Sequence, residues 1–508
     1  MELLRRNNNA DKYLRHVAAH ALYRLNPEGI LMQAESDKSA AVRLGALLAY
    51  RKLQSERAAN FLDDADPFIV REAALAINDA PINAAMPALA AMLGQGDLDD
   101  EALQLRIVNA RHRLGRPEDA VALAAFAASN DVPRELRSEA LAQLSDWADP
   151  FQRDRLVGVY RPLDPRDAAP AVAAVESQLD LLLSGSPYFV KRAVLRTIRD
   201  LKMTAASPQV RALLASDAEN GEVRAEALSV LNDLDDSELL ESIKVAGASD
   251  SPTLRLATLP ILTDMAENGA PVEMQAAYKA IAQLNHPEAE LLLAEGLQRL
   301  GSGLVPYLAQ VELLDSAEAS TFPLVQEAYQ NLQEKWSASG DPLISFRGAL
   351  EGGDGRVGWR LFNQHPVLAC TRCHVANGEG GYAGPELTGI ADRMTAEEML
   401  EAIIYPNNTI AEGFDVVAFT LADGGFEVGT IAEETAETVT IYDATGAKKS
   451  FAANLVTDRA TAPSSMPAIF GMVLNRSELR DLMGFMRSLT AEAAEEAATA
   501  AARATHEE

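Results

Sequence analysis

The feature that most restricts the fold is a recurrence. From residue 10 to about 335, an apolar residue followed by a basic one opens stretches of small and apolar residues at helical spacing. The pairs are Leu14-Arg15, Val42-Arg43, Val70-Arg71, Leu105-Arg106, Leu136-Arg137, Val190-Lys191, Val223-Arg224 and Leu254-Arg255. Their basic members stand 28, 28, 35, 31, 54, 33 and 31 residues apart. A period near thirty accommodates two short helices. Such a pair is too small to bury its own apolar stripe, so neighbours must stack into a continuous core, an α-solenoid with a long concave face. Asp or Ser with Pro often precedes the pair, as in Asp66-Pro67-Phe68-Ile69-Val70-Arg71, a capped helix start. The 54-residue step leaves room for one degenerate unit with a Pro-rich insertion around Arg161-Pro162-Leu163-Asp164-Pro165.

Composition agrees with helix. Aromatic residues make up only 6% of the 508, while hydrophobic residues reach 48% and Ala and Leu dominate. The net charge of −29 argues against nucleic acid and anionic membrane surfaces and suits a cationic partner protein or simple solubility. No run of eighteen apolar residues is present, so no transmembrane segment is expected. His16 and His20 stand at i,i+4 with no supporting Glu pattern. With His112 and His286 they read as ordinary helix-surface or loop residues, and Met203 and the other methionines of the array read as core fillers.

The only two cysteines occur in Cys370-Thr371-Arg372-Cys373-His374. Cys-x-x-Cys-His is the attachment signature of c-type haem. On a short helical turn, residues i and i+3 share a face, so both sulfurs can reach the two vinyl groups of one porphyrin. The next residue, His374, then serves as the proximal iron ligand. The same letters also suit a redox Cys-x-x-Cys or a zinc half-site. Zinc needs four ligands, and His365 is the candidate to join Cys370, Cys373 and His374.

Ten residues after His374 comes Gly384-Pro385-Glu386-Leu387-Thr388-Gly389, with Arg393 four residues beyond. Here the chain resembles the class I cytochromes c. The resemblance implies one covalent haem c, with the Pro385 carbonyl accepting Nδ1–H of His374 and Arg393 pairing with a propionate. It implies a methionine as sixth ligand, and Met466 in Ser464-Ser465-Met466-Pro467 fits. His374 and Met466 would then be the two metal ligands, leaving no open position, which describes an electron-transfer centre rather than an oxygen-activating one.

The array is most like HEAT repeats. The run Phe61–Ile82 resembles the HEAT region of planctomycete/verrucomicrobial-type membrane-bound dehydrogenase proteins, in which a β-propeller precedes HEAT repeats and a C-terminal haem-binding domain. The resemblance covers nearly all of this chain. The propeller is absent, and with it any dehydrogenase site, so an electron carrier rather than an enzyme is implied. It implies a redox partner protein or dehydrogenase domain, docked on the concave face, and a periplasmic or otherwise exported setting. Met1–Asn9 has no apolar core of signal-peptide length, so the chain reads as the C-terminal portion of a larger exported protein. A mis-assigned start, or a cytoplasmic protein without haem, are the alternatives.

The expected fold is mainly α. Residues 1–340 form the HEAT-like solenoid. Residues 341–414 and 460–490 form a class I cytochrome c domain, in which a helix opening at Gly355 crosses another over Ser477–Leu489. Thr395-Ala396-Glu397-Glu398 opens a further helix as a capping box. The 91 residues between His374 and Met466 include Val416–Leu421, Phe426–Ile431 and Thr438–Tyr442, alternating and β-branched, with turn signals at Asp423-Gly424-Gly425 and Ala444-Thr445-Gly446. They predict a small inserted β-meander or barrel over residues 415–459, a lid or a docking surface. Residues 491–508 are an Ala/Glu-rich tail, read as a helix fraying into disorder. Three functions stay open. They are an electron-transfer module, an interaction scaffold with a structural or sensory haem, and a haem peroxidase, against which Met466 argues.

Overall fold

The computed structural model describes residues 1–25, 28–95, 100–284, 286–368, 370–493 and 495. The chain divides into two compact units, Met1–Thr258 and Leu259–Glu508. Among the described residues no helix is long and apolar enough to cross a membrane.

The first unit is a succession of short helices, each packed chiefly on those nearest in chain order. The recurring pairs fall in the first two turns of helices, including Ala40–Leu53, Pro67–Asp79, Glu101–Leu114, Arg134–Ser145, Tyr188–Asp200 and Gly221–Asp233. Asp66 and Asn220 cap two of these starts with side-chain oxygens on the backbone N–H two residues on. Val42, Leu136, Val190, Val223 and Leu254 are buried, Val70 and Leu105 half-buried, and Leu14 is exposed. The basic partners join successive segments. Arg43 forks onto Asp64 at 2.7 and 2.8 Å, Arg106 reaches back to Asp79, and Lys191 meets Glu219. Arg224 Nε donates to the Leu214 carbonyl at 2.7 Å, and Arg255 Nη1 to that of Ser249 at 2.6 Å.

The 54-residue step holds no degenerate repeat. Asp146–Ala168 is non-helical, and one helix, Ala169–Ser184, completes the pair. Pro150, Pro162 and Pro165 remove backbone donors and keep the run out of helix. Buried Asp154 pins it, accepting from Asn109 Nδ2 and Arg161 Nη1, each at 3.1 Å.

In the second unit, helices Pro271–Ile281, Pro287–Gly301, Tyr307–Ala319 and Pro323–Ser339 precede Gly355–Gln364, Ala396–Ile404 and Arg476–Ser488. Helices on both sides of residue 340 thus belong to this unit. Arg480 forks onto Glu312 at 2.9 and 3.0 Å, and Arg476 donates to Asp315 at 2.7 Å, tying the last helix to the helices before the linker. Gly355–Gln364 crosses Arg476–Ser488 at backbone contact. A Cβ on Gly358 would lie 2.0 Å from the Asp481 carbonyl oxygen, so only glycine permits this approach. Phe362 and Phe485 meet beside it, ring centroids 5.3 Å apart.

Strands β1 (Val375–Ala376) and β2 (Glu379–Gly380) make a minimal hairpin. Strands β3 (Val416–Leu421), β4 (Phe426–Glu434), β5 (Thr438–Tyr442), β6 (Lys448–Ala452) and β7 (Val456–Ala462) make an antiparallel sheet ordered β6-β5-β4-β3-β7. Phe419, Leu421, Val439 and Ile441 form its buried face. β6 and β7 go beyond the strands legible in the sequence. Both are polar and mostly exposed, without an apolar alternation to announce them. β7 carries the sheet to Ala462 by pairing with β3. The tail, apart from residues 491–493 and 495, lies outside the described residues.

Candidate functional site

Cys370–Arg372 is one 3₁₀ turn, and His374 N–H closes on the Cys370 carbonyl at 2.9 Å. Three backbone bonds zip the following chain onto this turn. Gly381 N–H donates to Thr371, Gly384 N–H to Cys373 and Leu387 N–H to Val375, at 2.8, 2.7 and 2.7 Å. The Pro385 carbonyl lies 2.8 Å from His374 Nδ1. A carbonyl only accepts, so Nδ1 carries the proton and Nε2 keeps the lone pair a metal would need. Burial holds His374 below the usual histidine range, which keeps the imidazole neutral, while the bond to Pro385 pulls the other way. Gly384 has no room for a side chain, since a Cβ would lie 2.6 Å from His374 Cε1.

Burial pushes the Cys370 thiol up to about 11. It raises Cys373 too, with Arg372 opposing. Both sulfurs are therefore thiols rather than thiolates at neutral pH. With His374 they line a cavity of about 930 Å³, near the upper end of the roughly 300–1,000 Å³ of small-molecule sites. Its wall is largely apolar, with Phe362, Leu368, Ile390, Met399, Leu482 and Met486 contributing. Two thiols, a neutral imidazole with its donor nitrogen free and a large apolar cavity fit a covalently held haem. The zinc set does not assemble. His365 is absent from the lining, and its Nδ1 accepts from Val367 and Leu368 N–H at 3.2 Å. Among the described residues no three His, Cys, Asp or Glu side chains are grouped to hold a metal ion.

The six residues assigned to haem in the sequence all line this one cavity: Cys370, Cys373, His374, Pro385, Arg393 and Met466. Arg393 is exposed and donates to the Glu386 carbonyl at 2.9 Å. Met466 is half-buried and packs in the same apolar cluster as Cys370. Its backbone N–H donates to Ser464 Oγ at 3.2 Å, and Ser464 N–H to Asn407 Oδ1 at 2.8 Å. Met394 lines the cavity as well, whereas Met472 is 81% exposed and outside it. The lining also includes residues with no sequence signal, among them Ile410 and Phe414 in the run before β3, Val416 and Thr430 on the sheet, and Ala444 in the β5–β6 turn. Nothing local in an irregular loop states what it will cover.

The family model described as cytochrome c matches residues 358–419. That match supports a c-type cytochrome region in this chain. It spans the attachment turn, Pro385 and Arg393 and ends within β3, short of Met466. A cytochrome c region implies covalently bound haem c and an electron-transfer role. No curated protein matches the chain.

Proposed function

We propose that the chain is an electron-transfer module holding one covalent haem c, with His374 and Met466 as axial ligands, carried on a HEAT-like helical scaffold. The observation that carries this is the convergence of both thiols, a tautomer-locked His374 and Met466 on one largely apolar cavity. Bound haem would supply a one-electron couple. Cys370 and Cys373 anchor it, and the Pro385 carbonyl orients His374 and raises the basicity of its free nitrogen. Arg393, exposed at the cavity, pairs with a propionate by giving up its bond to the Glu386 carbonyl. A thioether ligand from Met466 favours the reduced state and closes the iron to small molecules, which separates this reading from a peroxidase.

The electrons come from a dehydrogenase and pass to an acceptor in an exported, periplasmic setting. The helical array supplies the docking surface, and the net charge of −29 favours cationic partners. The deciding experiment is a pyridine-haemochrome spectrum of the exported chain. One haem per chain is expected, lost in Cys370→Ala or Cys373→Ala. Stoichiometric zinc with no haem overturns the proposal.

A further inference from the structure

The carbonyl of Arg372, between the two cysteines, sits in a slot made by two glycines from distant parts of the chain. Gly381 follows the β1–β2 hairpin, and a Cβ there would lie 2.0 Å from the Arg372 oxygen. Gly446 lies in the turn joining β5 and β6, with φ +81°, and its Cβ would lie 2.4 Å from the same oxygen. That turn is rigid. Asp443 Oδ1 accepts from Thr445 N–H at 2.9 Å and Ala447 N–H at 3.2 Å, and Gly446 N–H donates to the Asp443 carbonyl at 2.9 Å. Ala444, exposed at the tip, lines the cavity, as do Thr430 and Val416 from the body of the sheet. The inserted sheet therefore touches the attachment turn from outside and walls the cavity beside it.

We infer that the Asp443–Ala447 turn is a positioning element that covers the cysteine side of the cavity, so that the inserted sheet sets how closely small redox molecules and partners approach the group held there. Gly446 acts through the Arg372 carbonyl. A side chain at 446 meets fixed backbone and must lift the turn, because the left-handed φ and the contact both exclude it. Ala444 acts by size, because added bulk at the tip extends the cover. The inference rests on the haem reading for its redox consequence and not for its geometry.

The test uses the exported full-length holo-protein with ferricyanide as probe, haem content being measured first. Gly446→Val is expected to raise the oxidation rate several-fold, and Ala444→Trp to lower it. Combining Ala444→Trp with Gly446→Val is expected to bring the rate back toward the wild-type value, so the Trp variant is read in both backgrounds. Should Gly446→Val fail to retain haem, Ala444→Trp alone decides. A wild-type rate in Ala444→Trp, or in a fully loaded Gly446→Val, overturns the inference. Should the wild type carry no haem, the haem reading fails by itself. The cover is then read in the haem-free chain by iodoacetamide labelling, where Gly446→Val must increase labelling of Cys373 relative to Cys370, and an unchanged ratio overturns it.

Discussion

Met466 and Met394 share the cavity wall, so position alone does not choose between them. The proposed ligation takes Met466, which stands beside Pro467 after the insertion and before the last helix. Met466→Ala is expected to lower the reduction potential, shift the ferric spectrum toward high spin and admit cyanide. Met394→Ala is expected to leave all three in place, and an unchanged Met466→Ala spectrum would move the ligand elsewhere. A second residue-scale prediction concerns His112, which is buried in the helix Glu101–Leu114 rather than on its surface as expected from the sequence. Burial pushes it down to about 3, with Arg166 adding to the effect. In the unfolded chain it titrates near 6.5, so between those values only the unfolded state takes up the proton. The stability is present above pH 6.5 and falls on acidification, by roughly 1.4 kcal/mol per pH unit. His112→Gln should flatten the loss of melting temperature between pH 7 and pH 5, and an unaltered slope would refute this.

Among the elements, the crossing of Gly355–Gln364 with Arg476–Ser488 makes the sharpest prediction. In an exposed helix Gly→Ala stabilises by about 1 kcal/mol. At Gly358 the sign should reverse, because the Cβ would press on the Asp481 carbonyl, and overpacking costs about 1–3 kcal/mol. Thermal melts of Gly358→Ala read that sign. These helices and the capped helix Ala396–Ile404 were legible beforehand, because a 3.6-residue apolar period with Thr395 and Glu398 as capping box is local information. β6 and β7 were not, because their strand character comes from pairing with β5 and β3 rather than from their own side chains.

For the molecule as a whole, the division at residues 258 and 259 predicts which fragments keep the site. A fragment of residues 251–490 should incorporate haem and melt cooperatively. One of residues 341–490 strands Arg480, whose partner Glu312 is removed with the helix Tyr307–Ala319. The truncation also uncovers the face of the last helix that Tyr307–Ala319 packs against, so lower haem yield and an earlier melt are expected. Equal melting temperatures for the two fragments would sink this. Replacing residues 415–462 by a Gly/Ser linker should likewise yield a cavity open to ferricyanide, because the sheet lines it.

Sequence alone carried the candidate chemistry and the local elements. Cys370, Cys373 and His374 are contiguous, the Gly384–Arg393 run follows within twenty residues, and helix periods and caps are written in neighbouring residues. Tertiary structure decided what depends on contacts between distant segments. It placed Met466 and Met394 on one wall, left Met472 in solvent, joined Glu312 to Arg480, and set Gly446 against Arg372. Each of these depends on chain closure over 70 to 170 residues, and a glycine's fit against a remote carbonyl leaves no mark in the residues beside it.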